Sequence, residues 1–501
     1  MKRLGLLMGV GLLLILGQQW WPRLHSHLNP ETVSITLDSN TTYQTILGWE
    51  ATDQAGQQFC AGFDNYQAQL FDLAVNDLGL NRIRLEVRSG AESDQDYWTQ
   101  FRQGQIDDAT WRSVRYATVN DNPNPDVLNT AGFHFSELDH TIQTVIQPLR
   151  QRLLARGETL YVNLNYVAFT RQIGAGLSYD HDDPEEYAEF VLATYQHLQT
   201  TYGFVPDTWE IILEPDNVSQ WSGTLIGEAM VATAVKLSAH GFTPAFVAPS
   251  NTDMGAAISY FDDLAAVPGA TQYLRELSYH RYRGVSNSNL QALATRAAQL
   301  GIGGAMLEHI GSDYQDLHQD LKLGLNSSWQ QFALGVCNVA DNGGQYYLID
   351  DTNPNNPVMT MGSRTKVLRQ YFKFIRRGAV RIEATTSDNN FDPLAFVNTN
   401  GRYVVVVKAA AAGNLQINGL PAGTYGLKYT TQSQYDVNLP DVVLTTGQTL
   451  NADIPALGVI TIYAKASPPP PTFTEHLYLP MVMSAGAAYQ VECGCGAGQR
   501  P

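Results

Sequence analysis

Apolar runs of strand length alternate with amphipathic stretches of helix length from Thr45 to Arg364. A short apolar run bounded by turn residues is typical of a buried strand, and its alternation with helical segments indicates repeated β–α units around a parallel sheet. Eight such units predict an α/β fold, the closed (β/α)8 TIM barrel, with some long loops. The eight predicted strands are Thr45–Ala51, Leu80–Val87, Thr159–Tyr166, Asp207–Leu213, Pro244–Ala248, Glu276–Arg281, Gly304–Glu308 and Phe332–Val339.

The pattern changes after Gln370, where short strands broken by Gly, Asn and Pro follow one another. This spacing predicts an antiparallel β-sandwich. We therefore expect a barrel domain over residues 45–367 and a β-sandwich domain over 368–466. The alternating run Thr32–Leu37 precedes the barrel, and as a single strand it must pair elsewhere. The longest insertion, 90–135, follows the second strand, is rich in Asp, Asn, Gln and Trp, and is expected to be a loop over one face of the barrel.

Both ends of the chain carry patterns that are not typical of a folded domain. Lys2 and Arg3 precede the uncharged apolar run Leu4–Gly17, which has the length of a signal h-region. No clear cleavage site follows, so residues 1–24 are expected to be a signal peptide or an uncleaved signal anchor, and the protein to be secreted or at the cell surface. At the other end, 467–472 is a proline-rich linker and 473–501 a tail whose short apolar segment is a candidate for membrane or surface attachment.

Composition and charge exclude some classes of function. The chain of 501 residues suits two domains, and its formal net charge of −17 argues against nucleic acid as a partner. No metal or organic cofactor is called for by any motif, and we expect a monomer.

Four cysteines fit a location outside the cytoplasm. Cys60 follows the first predicted strand and Cys337 lies in the last, and these strands are neighbours in a closed barrel. A disulfide is therefore geometrically possible, but two separate buried thiols are the slightly favoured alternative. Cys493 and Cys495 form a lone CxC pair, to which we assign no function.

Two glutamates carry the candidate chemistry. Glu214 ends the apolar run that starts at Trp209, and Glu308 ends the run that starts at Gly303. On the fourth and seventh strands of a barrel they meet at its C-terminal face, where catalytic groups converge. A single strand-end glutamate is usually an ion-paired or solvated carboxylate, but two in these positions favour retaining glycoside hydrolysis. Glu214 would be the acid/base and Glu308 the nucleophile, with carboxyl groups about 5–5.5 Å apart.

Three further residues could support the nucleophile. Arg84 ends the second strand and is a candidate donor to Glu308, although a surface ion pair is the alternative. His280 and Tyr282 end the sixth strand. The Tyr282 hydroxyl could steady the nucleophile, and His280 could bind a sugar hydroxyl unless it is a core histidine. The environments of the two glutamates should separate their pKa values, because a nucleophile must be ionised and an acid protonated.

Several of these segments resemble the glycoside hydrolases of clan A, and most closely family 30. The matching segments are Gln44–Trp49, Leu78–Arg84, Trp209–Pro215, Leu277–Tyr282 and, most specifically, Tyr371–Ile382. The resemblance covers about Val33 to Lys465. It implies a TIM barrel joined to a β-sandwich, with residues 32–44 forming a strand of that sandwich, and a glycosidase acting on a β-linked glycan or glycoside. We place Trp49, at the first turn, among the substrate-binding candidates.

The resemblance has one consequential departure. Clan members usually carry Asn immediately before the acid/base glutamate, where its amide meets the sugar 2-hydroxyl, and here that position is Leu213. Asn165 and Asn217 are candidates to replace the contact; otherwise the substrate differs at C2 or activity is weak. Two alternatives therefore stay open: a carbohydrate-binding pseudoenzyme, and a cell-surface protein in which the barrel is only a scaffold.

Overall fold

The structure is a computed structural model that describes residues 32–465. The signal or anchor segment 1–24, the linker 467–472, the tail 473–501 and the CxC pair lie outside the described residues. Eight parallel strands close into a barrel, which confirms the predicted TIM barrel. After the first strand of the chain, β1 (Val33–Thr45), the barrel strands are β2 (Gly48–Thr52), β3 (Arg82–Arg88), β4 (Tyr161–Val167), β5 (Thr208–Glu210), β6 (Phe246–Asp253), β7 (Leu274–Arg283), β8 (Gly303–Glu308) and β9 (Asn326–Ala333).

Helices surround this barrel and connect its strands. The N-cap Asp183 and the following proline begin one long helix, and Gly203, with φ 69°, ends it. Among residues 32–465 no helix is long and apolar enough to cross a membrane. The helices are α1 (Phe63–Asp72), α2 (Tyr97–Arg102), α3 (Asp108–Val114), α4 (Ser136–Thr141), α5 (Gln147–Ala155), α6 (Pro184–Tyr202), α7 (Gly223–Ala239), α8 (Met254–Ala266), α9 (Asn287–Leu300), α10 (Tyr314–Lys322) and α11 (Ser363–Phe372).

The interior of the barrel is charged rather than aliphatic. Arg82 of β3 contacts Glu50 of β2 and donates to Glu276 of β7 at 2.6 Å, and all three side chains are fully buried. Burial raises the pKa of Glu50 to about 7. On β2, β3 and β7 alternate residues therefore point polar groups inward, while the residues between them pack outward against the helices.

This polar interior explains why the bounds predicted for the last barrel strand were wrong. The strand lies at Asn326–Ala333, six residues before the predicted Phe332–Val339. Its inward positions carry Ser328, which donates to Glu276, and the fully buried Gln330. A strand that is polar on its inner face lacks the continuous apolar run that is typical of a parallel strand. The apolar pattern therefore predicts a strand in the next stretch of the chain instead.

The insertion after β3 is more ordered than the predicted loop. It contains α2 and α3, whose N-cap carboxylates Asp96 and Asp107 accept from backbone N–H groups. The two helices meet through Trp98 and Trp111, with ring centroids 5.4 Å apart. The aromatic residues of this segment therefore build its own small core.

A nine-stranded sheet forms the second domain. Its order is β17-β16-β19-β14-β13-β12-β1-β15-β18, so β1 lies between β12, its antiparallel neighbour, and β15, its parallel one. Strands from both ends of this order share one buried apolar cluster, because the sheet folds over itself as a sandwich. The strands are β12 (Val380–Thr386), β13 (Phe391–Val397), β14 (Tyr403–Ala409), β15 (Gly413–Asn418), β16 (Gly423–Thr431), β17 (Val437–Leu444), β18 (Leu450–Ile454) and β19 (Gly458–Ala464); a separate hairpin of β10 (Tyr347–Asp350) and β11 (Val358–Met361) precedes them.

Two features connect these parts. Helix α11 spans the expected division at 367/368, and its Gln370 bonds both Thr430 and Thr461 of the sandwich. At the other end of the barrel Cys60 and Cys337 form a disulfide, with Cα atoms 5.6 Å apart. The slight preference for separate thiols was wrong, because barrel closure brings together the loops that follow β2 and β9.

Candidate active site

The two glutamates lie together at the C-terminal end of the barrel. Glu308 is the last residue of β8, while Glu214 lies four residues beyond β5, before a short 3-10 turn. One carboxylate oxygen of each, together with a ring nitrogen of His280, all lie within 4.8 Å of one another. Glu214 has φ 50° and ψ 59°, a left-handed conformation that costs a non-glycine residue about 1–3 kcal/mol and is concentrated at functional sites.

Glu308 is held by two donors. The Arg84 guanidinium contacts Glu308 Oε2 and also donates to the Leu307 carbonyl at 3.1 Å. The Tyr282 hydroxyl donates to Glu308 Oε1 at 2.8 Å. Arg84 is fully buried, whereas Tyr282 is 36 % exposed and faces the mouth of the barrel. Both carboxylate oxygens therefore accept from fixed groups, which suits an ionised carboxylate.

Glu214 has a different environment. His280 Nδ1 lies 3.1 Å from Oε1, and the Asn217 amide donates to Oε2 at 2.9 Å. Burial raises the pKa of Glu214, but the hydrogen bonds of His280 and Asn217 and the charge of Arg84 outweigh burial and hold this pKa below its usual range. This direction is opposite to the one expected for a carboxylic acid that waits protonated.

Most predicted site residues meet here, although not always with the expected partner. Arg84 and Tyr282 contact Glu308 as predicted. His280, expected beside Glu308, contacts Glu214, and within residues 32–465 its buried Nε2 has no hydrogen-bond partner. Asn217 reaches Glu214 because the 3-10 turn brings it back over the carboxylate.

Trp49 does not line the site, whereas the substrate-binding role of Asn165 stays a prediction. Trp49 alternates with the inward-facing Glu50, and it therefore points outward, where its ring stacks on Phe372 at 4.6 Å. Its Nε1 donates to the Ile375 carbonyl at 2.7 Å. Asn165 is fully buried inside the barrel and contacts no polar group of residues 32–465. The Trp49 side chain therefore packs in the shell between barrel and helices, away from the two glutamates.

Leu213 has a packing role. It is buried in a small apolar cluster with Tyr116 and Val167, next to Phe169 and Ile173. The side chain before the acid/base candidate is therefore directed into a core that the insertion completes through Tyr116. An asparagine in that cluster would lose its hydration among apolar groups.

Two further carboxyl groups at the strand ends were missed. Asp53 directly follows β2, and its Oδ2 accepts from the backbone N–H of Glu86 at 2.9 Å. Burial and the neighbouring charge of Glu86 raise the pKa of Asp53. The signal was present in the sequence, since Asp53 lies two residues after the first predicted strand, Thr45–Ala51, where catalytic groups of a barrel converge.

The site contains groups that could also hold a cation. The donor atoms of Glu214, His280 and Glu308 are close enough to share one small ion. Two carboxylate oxygens, however, already accept from Arg84 and Asn217. The arrangement therefore offers one carboxyl group held by Arg84 and Tyr282 beside a second that is hydrogen-bonded to a histidine, which is suited to acid–base and nucleophilic chemistry.

Comparison with known proteins agrees with this fold. Residues 378–441 match the glycosyl hydrolase family 30 beta sandwich domain. The second domain is therefore similar to a family 30 β-sandwich. The resemblance to family 30 that the sequence showed is thereby confirmed, and the matched segment starts directly after α11. No curated protein matches the sequence.

Solved structures of related fold cover 86–87 % of the chain. They include a family 30 endoxylanase from Clostridium papyrosolvens (TM-score 0.60, 18 % identity, 87 % of this chain and 100 % of that chain). A conserved exported protein from Bacteroides fragilis gives a TM-score of 0.64 at 13 % identity, over 86 % of this chain and 100 % of that one. The endo-β1,6-glucanase BT3312 gives 0.59 at 16 % identity, over 86 % and 94 %. At these identities the likeness shows a shared fold.

Proposed function

We propose that the protein is a retaining glycoside hydrolase that cleaves a β-glycosidic bond, with Glu308 as nucleophile and Glu214 as acid/base. The observation that carries the proposal is the pair of carboxylate oxygens within 4.8 Å of each other at the barrel mouth. Retaining enzymes place their carboxyl groups about 5–5.5 Å apart, whereas inverting enzymes need about 6.5–9.5 Å to fit a water molecule. The likeness to family 30 glycosidases supports the same class of reaction.

The first chemical step would use both carboxyl groups at once. Glu308 attacks the anomeric carbon as the glycosidic bond breaks, and Glu214 gives its proton to the departing oxygen. Arg84 and Tyr282 fix both oxygens of Glu308, so the attacking lone pair is positioned before the sugar arrives. The product is a covalent glycosyl ester on Glu308 and a free leaving-group alcohol.

The second step would reverse the role of Glu214. In the ester Glu308 carries no charge, so a like-charged neighbour of Glu214 is lost and its ionised form is favoured. Glu214 then removes a proton from water, which attacks the anomeric carbon and frees Glu308. The His280 and Asn217 contacts, which lower the pKa of Glu214, assist this base step. The first step needs a protonated Glu214. A bound sugar must therefore bury Glu214 further, because burial raises the pKa of this group.

A trapping experiment tests the assignment. A 2-deoxy-2-fluoro β-glycoside with a good leaving group forms the ester but hydrolyses slowly, so the protein should gain the mass of one fluorosugar on the peptide that contains Glu308. Glu308→Gln should abolish labelling. Glu214→Ala should still label with a dinitrophenyl leaving group, which needs no acid. Glu228→Gln, an exposed change on α7, is the matched control. A label on another residue would refute the assignment.

The neighbours suggest which glycans to try first. They include an endoxylanase and an endo-β1,6-glucanase, so xylan and β-1,6-glucan belong in the substrate panel with aryl β-glycosides. We also propose export to the cell exterior. The disulfide, which forms in oxidising compartments, and the signal-like pattern of residues 1–24 support this location. Fractionation of cells that make the full chain tests it, and a protein confined to the cytoplasm would overturn it.

A carbohydrate-binding pseudoenzyme is the second candidate. It is favoured by Leu213, which removes the usual amide, and by the lowered pKa of Glu214. This candidate predicts that glycans bind without being cleaved, and that Glu214→Gln leaves their affinity unchanged. Turnover of any aryl β-glycoside that is lost in Glu308→Gln would exclude it.

A further inference from the structure

A cleft of about 590 Å³ lies at the opposite end of the barrel from the glutamates, between the barrel and the sandwich. One wall is the segment that leads into β4, the second is the turn after α11, and the third is the hairpin between β13 and β14. Five cationic side chains line it against one carboxylate, Glu158. In a chain of net charge −17 this is a local reversal of sign.

The cations are only partly neutralised. Glu158 is shared between Arg376 at 2.5 Å and Arg156 at 3.2 Å, and Lys373 pairs with Asp77 at 3.2 Å. The remaining two, Arg377 and Arg402, have no carboxylate within 4.0 Å among residues 32–465.

The unpaired arginines also have unused donors. Arg377 donates to the Thr159 hydroxyl at 2.9 Å, but its Nη1 is buried and bonds no group of the described chain. The same is true of Nε in Arg402 and in Arg376. A buried guanidinium N–H without an acceptor is costly, and an oxyanion is its best partner, because planar guanidinium groups match carboxylate and sulfate geometry.

We propose that this cleft binds an acidic oligosaccharide, a glycan segment that carries carboxylate or sulfate groups. Hydroxyl and amide side chains, Thr159, Thr399 and Asn400, lie beside the arginines, and Tyr463 offers an aromatic ring. This is the mixture that a charged sugar needs. An anionic membrane fits less well, since the site is concave and the chain as a whole carries a net charge of −17. The proposal does not depend on the catalytic assignment, because it concerns binding alone.

Binding of an oligogalacturonate to the purified protein, measured by calorimetry, tests the proposal. Its methyl-esterified form is the matched neutral ligand and should not bind. The double variant Arg377→Gln, Arg402→Gln should weaken binding of the acidic form at least tenfold. The matched control, Arg171→Gln with Arg275→Gln, removes two exposed arginines that form no ion pair within residues 32–465 and should leave binding unchanged. Hydrolysis of a neutral aryl glycoside should be the same in all variants.

Other results would overturn the proposal. These are equal binding of the two ligand forms, equal weakening by the control variant, and binding of inorganic sulfate as tight as that of the oligosaccharide. Arginine-dependent binding to phosphatidylserine vesicles without oligogalacturonate binding would assign the cleft to a lipid surface instead. Should the double variant fold poorly, Asn400→Glu places a negative charge at the exposed rim and should weaken binding without disturbing the arginines.

Discussion

Glu189 is a buried carboxyl group that should make the protein less stable at alkaline pH. It lies on α6, only 1 % exposed, and neither carboxylate oxygen has a hydrogen-bond partner in the described part of the chain. Burial, together with the charges of Asp121 and Glu186, raises its pKa to about 8, and Lys236 offsets this only in part. In the unfolded chain the ordinary value is 4.5. Between these two pH values the folded state keeps the proton and the unfolded state loses it.

The sign and size of the effect follow. The folded state is favoured by this proton below about pH 4.5, and the advantage is lost as pH rises through about 8. At ~1.4 kcal/mol per pH unit the largest possible cost is about 5 kcal/mol. Screening by solvent reduces it, so we expect about 2 kcal/mol. The isosteric change Glu189→Gln removes the charge, and should stabilise the protein by that amount at about pH 8.5 and by almost nothing at about pH 5.

Urea unfolding of the disulfide-bonded protein, followed by tryptophan fluorescence at both pH values, measures this difference. Glu228→Gln on α7 is the control, because it removes the same charge from an exposed position. A Glu189→Gln protein that gains equal stability at both pH values, or loses stability at the higher one, would refute the reasoning.

Four shorter predictions concern the active site. Arg84→Lys keeps the charge but cannot bond the carbonyl and the carboxylate together, so kcat/KM for aryl glycosides should fall about 10–100-fold with KM little changed. Tyr282→Phe removes one hydrogen bond to the nucleophile and should lower kcat/KM about tenfold. His280→Gln removes a group that lowers the pKa of Glu214, so the alkaline limb of the pH–kcat/KM profile should move to higher pH; a move to lower pH would contradict the assignment. Leu213→Asn should cost about 1–3 kcal/mol of stability in urea unfolding and give no rise in kcat/KM.

The fold was largely accessible from sequence because the β–α alternation is long and repeated. Strand parity was the weak point. Trp49 and Glu50 are neighbours on one strand, yet only Glu50 faces the barrel interior. Because both residues are fully buried, the sequence does not show which of the two alternating sets of side chains points inward. The charged interior that Arg82 organises also hid β9, since its buried polar residues have the appearance of a loop.

The site was predictable in its chemistry and less so in its contacts. Glu308 with Arg84 and Tyr282 could be inferred, because all three lie on predicted strands or directly after them and the strands lead to one mouth. The pairing of His280 with Glu214 depends on where the segment after β5 turns. In that segment Glu214 itself has a left-handed backbone conformation, which no sequence pattern predicts. The burial of Asn165 similarly depends on the distance, along the barrel axis, between its side chain and the mouth of the barrel.

The position of β1 has a consequence for how the chain is made. Ile35 of β1 pairs with Thr386 of β12 and Ile417 of β15, so this strand must wait until the entire barrel has emerged from the ribosome. The delay of ~350 residues, at about 5–20 residues per second, is on the order of 20–70 s. Throughout that time an apolar strand with unpaired edges is exposed, which is a site for aggregation. Closure of the barrel does not end this exposure, because both neighbours of β1 belong to the second domain.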